Sequence, residues 1–420
     1  MRVHFIKGRK GDIAYFCDTL EIKKVTAAEK QQLSEQITKP VYEPMVPIDE
    51  SYLSTLILHV SNACNMRCRY CFANHGNYGA ESGLMPVRVA LDAVEVFYRR
   101  YDRIKQIKFF GGEPLMNLDA IEAVCRDILG RYERGEVKKL PEYKIVTNGT
   151  ILPERAMRLI RDYDIQTVFS MDGPEPVHDY ARVFADDRGS FSVIRDHFRA
   201  LRDFTGGKQP YGVEMTYHAI HKAHGLSMSD VTDFFVREFG VDAHAVNISP
   251  VSAGDGSVFS LEDNNFCLVE AAEQLLDSFY QGKTDVPVDQ KLYYLTRKIK
   301  RGIQTDRQVC NAAWKWVAVS ATGDVYPCFM FMNRDEFKMG SIYSDLFNDP
   351  RYMRLTETWK NYDRLEKDTC GLCFCNRICV NCMGQNLDSS GSVYDKTPEQ
   401  CRTTRKLMET LIEGIAEGFF

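Results

Sequence analysis

Residues 55–71 read TLILHVSNACNMRCRYC, an apolar run that passes at once into three cysteines, Cys64, Cys68 and Cys71. A short run of large and β-branched apolar residues ending in a polar loop is the pattern of a buried strand. The same pattern recurs along the chain as IKFFG (107–111), YKIVT (143–147), IQTVFSM (165–171), YGVEMTY (211–217) and AVNIS (245–249). Between the runs lie stretches such as PVRVALDAVEVFYRRY and LDAIEAVCRDILGRY, apolar at three- and four-residue spacing. Strands alternating with helices predict right-handed βαβ units on a parallel sheet. Six units are too few for an eight-fold barrel. The expectation is therefore an α/β fold with a partial (β/α)6 barrel, a flavodoxin-like open sheet being the other reading of the pattern.

In such folds ligands gather at the carboxyl ends of the strands. There stand the three cysteines, then GGEP (111–114), TNGT (147–150) and SMDGP (170–174). Thiolates spaced Cys-x3-Cys-x2-Cys on one loop can hold three corners of a cubane iron–sulfur cluster and leave one iron open. A zinc site completed by His75 or a distant residue is the alternative on spacing alone.

Composition narrows the class. The chain has 420 residues, 44% hydrophobic and 26% charged, with net charge −5 and no dominant basic run. That balance speaks against nucleic-acid and anionic-membrane partners. The start, MRVHFIKGRKGDIAYF, lacks the apolar core of a signal peptide, and no run is long enough to span a bilayer. A cytoplasmic protein is expected, where 14 cysteines are poor candidates for disulfides. Cys17, Cys125 and Cys267 stand apart and read as small buried hydrophobes. The others fall into an early group and a late group, a distribution that points to metal.

Three segments are expected: 1–52, 53–300 and 301–420. In the first, MRVHFIKG and DIAYFCDT predict a β-hairpin, and Thr26 with Glu29 opens a helix. The last is turn-rich and carries Cys310, Cys328, Cys370, Cys373, Cys375, Cys379, Cys382 and Cys401.

CNMRCRYC together with GGEP resembles the motif pair of the radical S-adenosylmethionine enzymes. The resemblance implies a four-iron cluster on Cys64, Cys68 and Cys71 whose open iron chelates S-adenosylmethionine. It implies Tyr70 near the adenine, and Gly111, Gly112, Glu113 and Pro114 as the loop that receives the methionine amino group. In the residues themselves, two successive glycines offer a flat backbone to a ligand and Glu113 a carboxylate for an ammonium. Ser170 and Asp172 are candidate ribose contacts and Arg182 a candidate partner for the methionine carboxylate. Asn148 is read as a turn residue or a further contact. SMDGPEPVHDYARVFADDRGSF is similar to the matching region of peptide- and sulfatase-modifying members.

The late cysteines resemble the SPASM extension, which holds two auxiliary four-iron clusters, for three clusters in all. Cys370, Cys373, Cys379 and Cys401 would bind the outer one, and Cys310, Cys328 and Cys382 the inner one. The family's last spacing is three residues where Cys379-x2-Cys382 has two. Relatives supply a fourth inner ligand just before the first, but RGIQTDRQV contains no cysteine. Either Cys375 substitutes or the inner cluster keeps an open iron.

The implied activity is that of a radical enzyme maturing a Cys-rich, ribosomally made precursor peptide, fed by a flavodoxin- or ferredoxin-type electron donor. Thioether crosslinking is the leading outcome. A carbon–carbon crosslink, epimerisation or formylglycine-type oxidation is the alternative. No catalytic side chain is assigned beyond the cluster and the S-adenosylmethionine site. The N-terminal piece is expected either as a leader-binding remnant that adds a strand to an exposed edge or as a cap over the barrel's open side.

Overall fold

In the computed structural model the described residues are 2–36, 49–251, 256–261, 266–283, 286–304 and 307–419. Residues 37–48 of the expected N-terminal piece therefore lie outside them. All six strands read from the sequence form, as β4 (Tyr52–Ser61), β5 (Arg103–Gly111), β6 (Glu142–Thr147), β7 (Gln166–Ser170), β8 (Gly212–Tyr217) and β9 (Val246–Pro250). They follow β1 (Val3–Gly8), β2 (Gly11–Phe16) and β3 (Ile22–Val25), and precede β10 (Trp316–Val319), β11 (Asp324–Tyr326) and β12 (Gly340–Ser341).

Strands β4 to β9 pair in parallel and in sequence order, the wall of a partial barrel. Alternation along each strand gives the wall two characters. Leu56, Leu58, Ile107, Phe109, Ile145 and Phe169 are buried on one face. The crossover helices pack there with Val94, Phe97, Val124, Ile128 and Phe198, as in the contact of Phe169 with Phe198 at 5.4 Å. Each such side chain stabilises the fold by about 1.5–3 kcal/mol through burial. The other, concave face is polar. Register aligns Ile57, Lys108, Lys144 and Gln166 across it, and further up Ser170, Glu214 and Asn247.

The cysteine-rich region is joined to this wall rather than appended to it. β10 pairs in parallel with β4, setting Ala318 against Ile57, and β11 and β12 continue antiparallel beyond it. The N-terminal piece is a three-stranded sheet, one strand more than the expected hairpin, followed by the helix Ala27–Ser34 with the capping box of Thr26 and Glu29 in place. It rests on the last helix, Pro398–Ala416, where His4 meets Glu409 at 2.8 Å and the Arg9 N–H donates to Glu413 at 2.8 Å. Among the described residues no helix is long and apolar enough to cross a membrane.

Candidate active site

Four loops at the carboxyl ends of β4 to β7 build the site. The loop after β4 carries Cys64, Cys68 and Cys71 and is tied to the loop after β5. The Gly112 N–H donates to the Ser61 carbonyl at 2.8 Å and the Glu113 N–H to the Ala63 carbonyl at 2.9 Å. A Cβ on Gly111 would stand 2.1 Å from the Ser61 oxygen, and one on Gly112 2.4 Å from the Ala63 oxygen. The expected glycines are thus demanded by close approach of the chain's own backbone. Gly76, which sequence reading passed over, belongs with them: at φ +96°, its Cβ would come 2.5 Å from the Gly112 Cα.

The three thiols are neighbours, and Cys64 and Cys71 both push up the Cys68 thiol. Burial is the larger cause, raising Cys64 to about 11 and Cys68 to about 12, while Arg182 opposes it at Cys68. Thiolates here need strong positive charge beside them, which an iron–sulfur cluster supplies. The donor set fits the cluster. His75, the alternative zinc ligand, is exposed.

Glu113 is fully buried and receives three donors, the Leu115 N–H at 2.9 Å, the Thr147 hydroxyl at 2.7 Å and the Asn148 N–H at 2.7 Å. Burial outweighs them and lifts its carboxyl to about 7. It binds the third loop to the second, with Pro114 opening the turn that follows. The Asn148 amide reaches the Cys64 sulfur at 3.6 Å and Asn65 Oδ1 at 2.9 Å, so this residue is a neighbour of the cluster loop as well as a turn residue.

Asp172 and Arg182 answer each other. Both are buried, with Arg182 Nε in ion-pair contact with Asp172 Oδ2 at 2.9 Å. The Tyr70 hydroxyl donates to the same oxygen at 2.5 Å and the Thr216 N–H to Oδ1 at 3.0 Å. Burial alone would raise the Asp172 carboxyl, but Arg182 first, with the His218 ring 3.8 Å away, holds it well below the usual carboxylate range. Ser170 is half-buried at the end of β7. The histidines around this pair were not singled out from the sequence. His178 accepts from the Asp172 N–H at 3.2 Å, and His221 Nε2 lies 2.6 Å from the Asp172 carbonyl. Only their spacing from SMDGP could have marked them, and that spacing has no motif.

The concave wall continues below. Tyr78 is shared by both thiol sets, since burial first and then Cys71, Cys328 and Cys64 push its phenol up. Burial lowers Lys108 to about 8, with Glu214 and Cys328 pulling it back and Lys144 adding to the fall.

The late cysteines sort into two groups. Cys382 raises the thiols of Cys310 and Cys328, and Cys310 that of Cys328. Cys379 raises Cys370 and Cys401, and Cys373 raises Cys370. Cys375 is with the second group, its sulfur 3.4 Å from that of Cys373. All fourteen cysteines are free thiols. Cys17, Cys125 and Cys267 are buried and raised by desolvation, as expected of hydrophobic cysteines.

Comparison with known proteins agrees with this arrangement. Residues 58–235 match the radical SAM superfamily and residues 310–376 an iron–sulfur cluster-binding SPASM domain. An uncharacterised protein of Methanocaldococcus jannaschii is 33% identical over 135 residues, 32% of this chain and 44% of its own length. The radical SAM cyclopropyl synthase TigE of Paramaledivibacter caminithermalis is 22% identical, with 86% of this chain and 74% of that one covered. A cysteine-type anaerobic sulfatase-maturating enzyme of Clostridium novyi is 23% identical over 82% of this chain and 89% of its own. The fold is that of anSMEcpe, solved with bound AdoMet and Kp18Cys peptide, at TM-score 0.67 and 20% identity over 87% of this chain and 99% of that one.

Proposed function

We propose that this chain, in which a radical SAM domain is followed by an SPASM domain, is a maturase that joins cysteine sulfur to carbon in a ribosomally made peptide. The observation that carries the reading is the division of the late thiols. Cys310, Cys328 and Cys382 form a trio, while Cys375 lies against Cys373 in the other group and is no fourth member of the first. Among the described residues this inner group is incomplete, which leaves a place for a peptide thiol.

With three four-iron clusters and S-adenosylmethionine bound, the cofactors supply the electron and the 5′-deoxyadenosyl radical. Cys64, Cys68 and Cys71 would hold the first cluster. Cys370, Cys373, Cys379 and Cys401 would hold the outer auxiliary one, and the trio the inner one. Gly111, Gly112 and Glu113 lock the loop that borders the first cluster, and Asn148 offers its amide to the Cys64 sulfur. The Tyr70–Asp172–Arg182 contacts pin the cysteine loop to the ends of β7 and β8, so that bound groups meet a rigid rim. A flavodoxin- or ferredoxin-type protein is the proposed electron donor.

A peptide or protein substrate is supported by the peptide bound in the anSMEcpe structure and by the sulfatase-maturating relative. The deciding experiment is anaerobic turnover of the reconstituted chain with the Cys-containing precursor peptide encoded beside its gene. Loss of a hydrogen pair together with an alkylatable thiol, and without a hydrazide-reactive carbonyl, is the expected result. A reactive carbonyl would instead mark formylglycine-type oxidation. Mass loss with every thiol still alkylatable would mark a carbon–carbon crosslink, and either result overturns thioether formation.

A further inference from the structure

Among the described residues Lys108 is a cation in the barrel interior with no ion-pair partner. It lies on the concave face of β5, three positions before Gly111, and register sets it beside a second lysine, Lys144 on β6. Its Nζ stands 4.5 Å from the centroid of the Phe110 ring and 5.1 Å from that of Phe329. Those two rings are 4.7 Å apart and tilted at 47°, which holds the ammonium in place while leaving its N–H groups free to donate. Phe329 directly follows Cys328 of the inner trio, so the ammonium sits between the barrel wall and the cysteine-rich domain.

The carboxylate whose charge reaches Lys108, Glu214, makes its hydrogen bonds elsewhere. Glu214 on β8 accepts from the Asn247 amide through both oxygens, at 2.9 Å and 2.8 Å, and Ser249 lies at 3.5 Å from Oε1. Among the described residues Glu214 acts on Lys108 through space only, without a hydrogen bond or ion-pair contact. Holding a cation in an apolar setting without a partner is costly, and such an arrangement is favourable once a ligand supplies the opposite charge.

We propose that Lys108 is a specificity residue that pairs with a carboxylate of the substrate peptide, an Asp or Glu side chain or the C-terminus, and so sets which segment enters the barrel. This rests on the peptide-maturase reading above. An ammonium between two rings recognises a planar anion by charge-assisted hydrogen bonds and discriminates against the isosteric amide, which cannot balance it.

The test uses the cluster-loaded full chain with S-adenosylmethionine and synthetic Cys-containing hexapeptides that differ only as Asp against Asn, Glu against Gln, or C-terminal acid against amide. Affinity is measured without reductant and modification with it. The expected result is a preference of about tenfold or more for one acid over its amide. That preference should collapse in Lys108→Met and persist in Lys108→Arg. The pair that discriminates identifies side chain or terminus. Modification of acid and amide alike by the parent chain overturns the assignment while leaving the maturase reading intact. Discrimination in binding with no modification upholds Lys108 and overturns the maturase reading. Equal loss for both peptides in Lys108→Met, or no binding of any peptide, overturns the assignment.

Discussion

Single residues decide which cysteine serves which group. The spacing of Cys370, Cys373, Cys379 and Cys401 is read directly from the chain, but the position of Cys375 is not. Two residues apart in sequence, Cys373 and Cys375 bring their sulfurs to 3.4 Å because the backbone turns between them, with the Cys373 N–H on the Cys370 carbonyl and the Cys379 N–H on that of Cys375. Five thiols therefore lie together where a four-iron cluster would take four. Cys373→Ser and Cys375→Ser should each keep the parent content of iron and labile sulfide. The double variant should lose about four irons per chain. Loss of that iron in Cys373→Ser alone would show that Cys375 cannot take its place.

At the scale of elements, local patterns were legible and pairings were not. The six strands and the capping box at Thr26 follow from short-range signals. Strand β3 was missed because Ile22–Val25 is four residues long with two exposed lysines at its centre, too little for an alternation to register. The GGEP loop was found for its resemblance, yet its glycines answer to a packing constraint. In Gly112→Ala the new Cβ must displace the Ala63 carbonyl, and the cysteine loop with it. Stability should fall by about 2 kcal/mol or more, read from thermal melting. S-adenosylmethionine binding, followed by equilibrium dialysis, should weaken along with it. A variant that melts like the parent and binds S-adenosylmethionine as well would refute the close-packing account.

Across the whole molecule, buried titratable groups set the pH range. Desolvation lowers His59 and His221 to about 4 and His178 to about 3, against an ordinary 6.5. Above 6.5 these rings are neutral folded or unfolded and contribute no pH dependence. As pH falls below 6.5 the unfolded chain takes up protons that the folded chain refuses, so folding weakens until about pH 4. Each histidine contributes at most about 1.4 kcal/mol per pH unit across that window. Glu113, raised to about 7, holds a proton in the folded chain between 4.5 and 7 and offsets one of the three histidines. Urea midpoints should still drop from pH 6.5 toward 4, and a flat profile over that window would contradict the burial. At the same scale the N-terminal sheet finds its place. Arg2 donates to the Gly371 carbonyl at 3.1 Å and His4 stacks on Phe374 at 3.8 Å, so the first strand braces the loop that carries Cys370 to Cys379.

The sequence by itself determined the alternation of strands and helices, the end of the sheet that carries chemistry, and the two sets of thiols. Each of these depends on residues near one another along the chain, where period and spacing act directly. Only the tertiary structure decided that Asp172 meets Arg182, that Cys375 joins the outer thiols, that β10 extends the barrel wall at β4, and that Lys108 lies between the Phe110 and Phe329 rings. Those facts depend on which distant segments share a boundary, and side-chain charge or backbone register across such a boundary leaves no periodic trace in either segment alone.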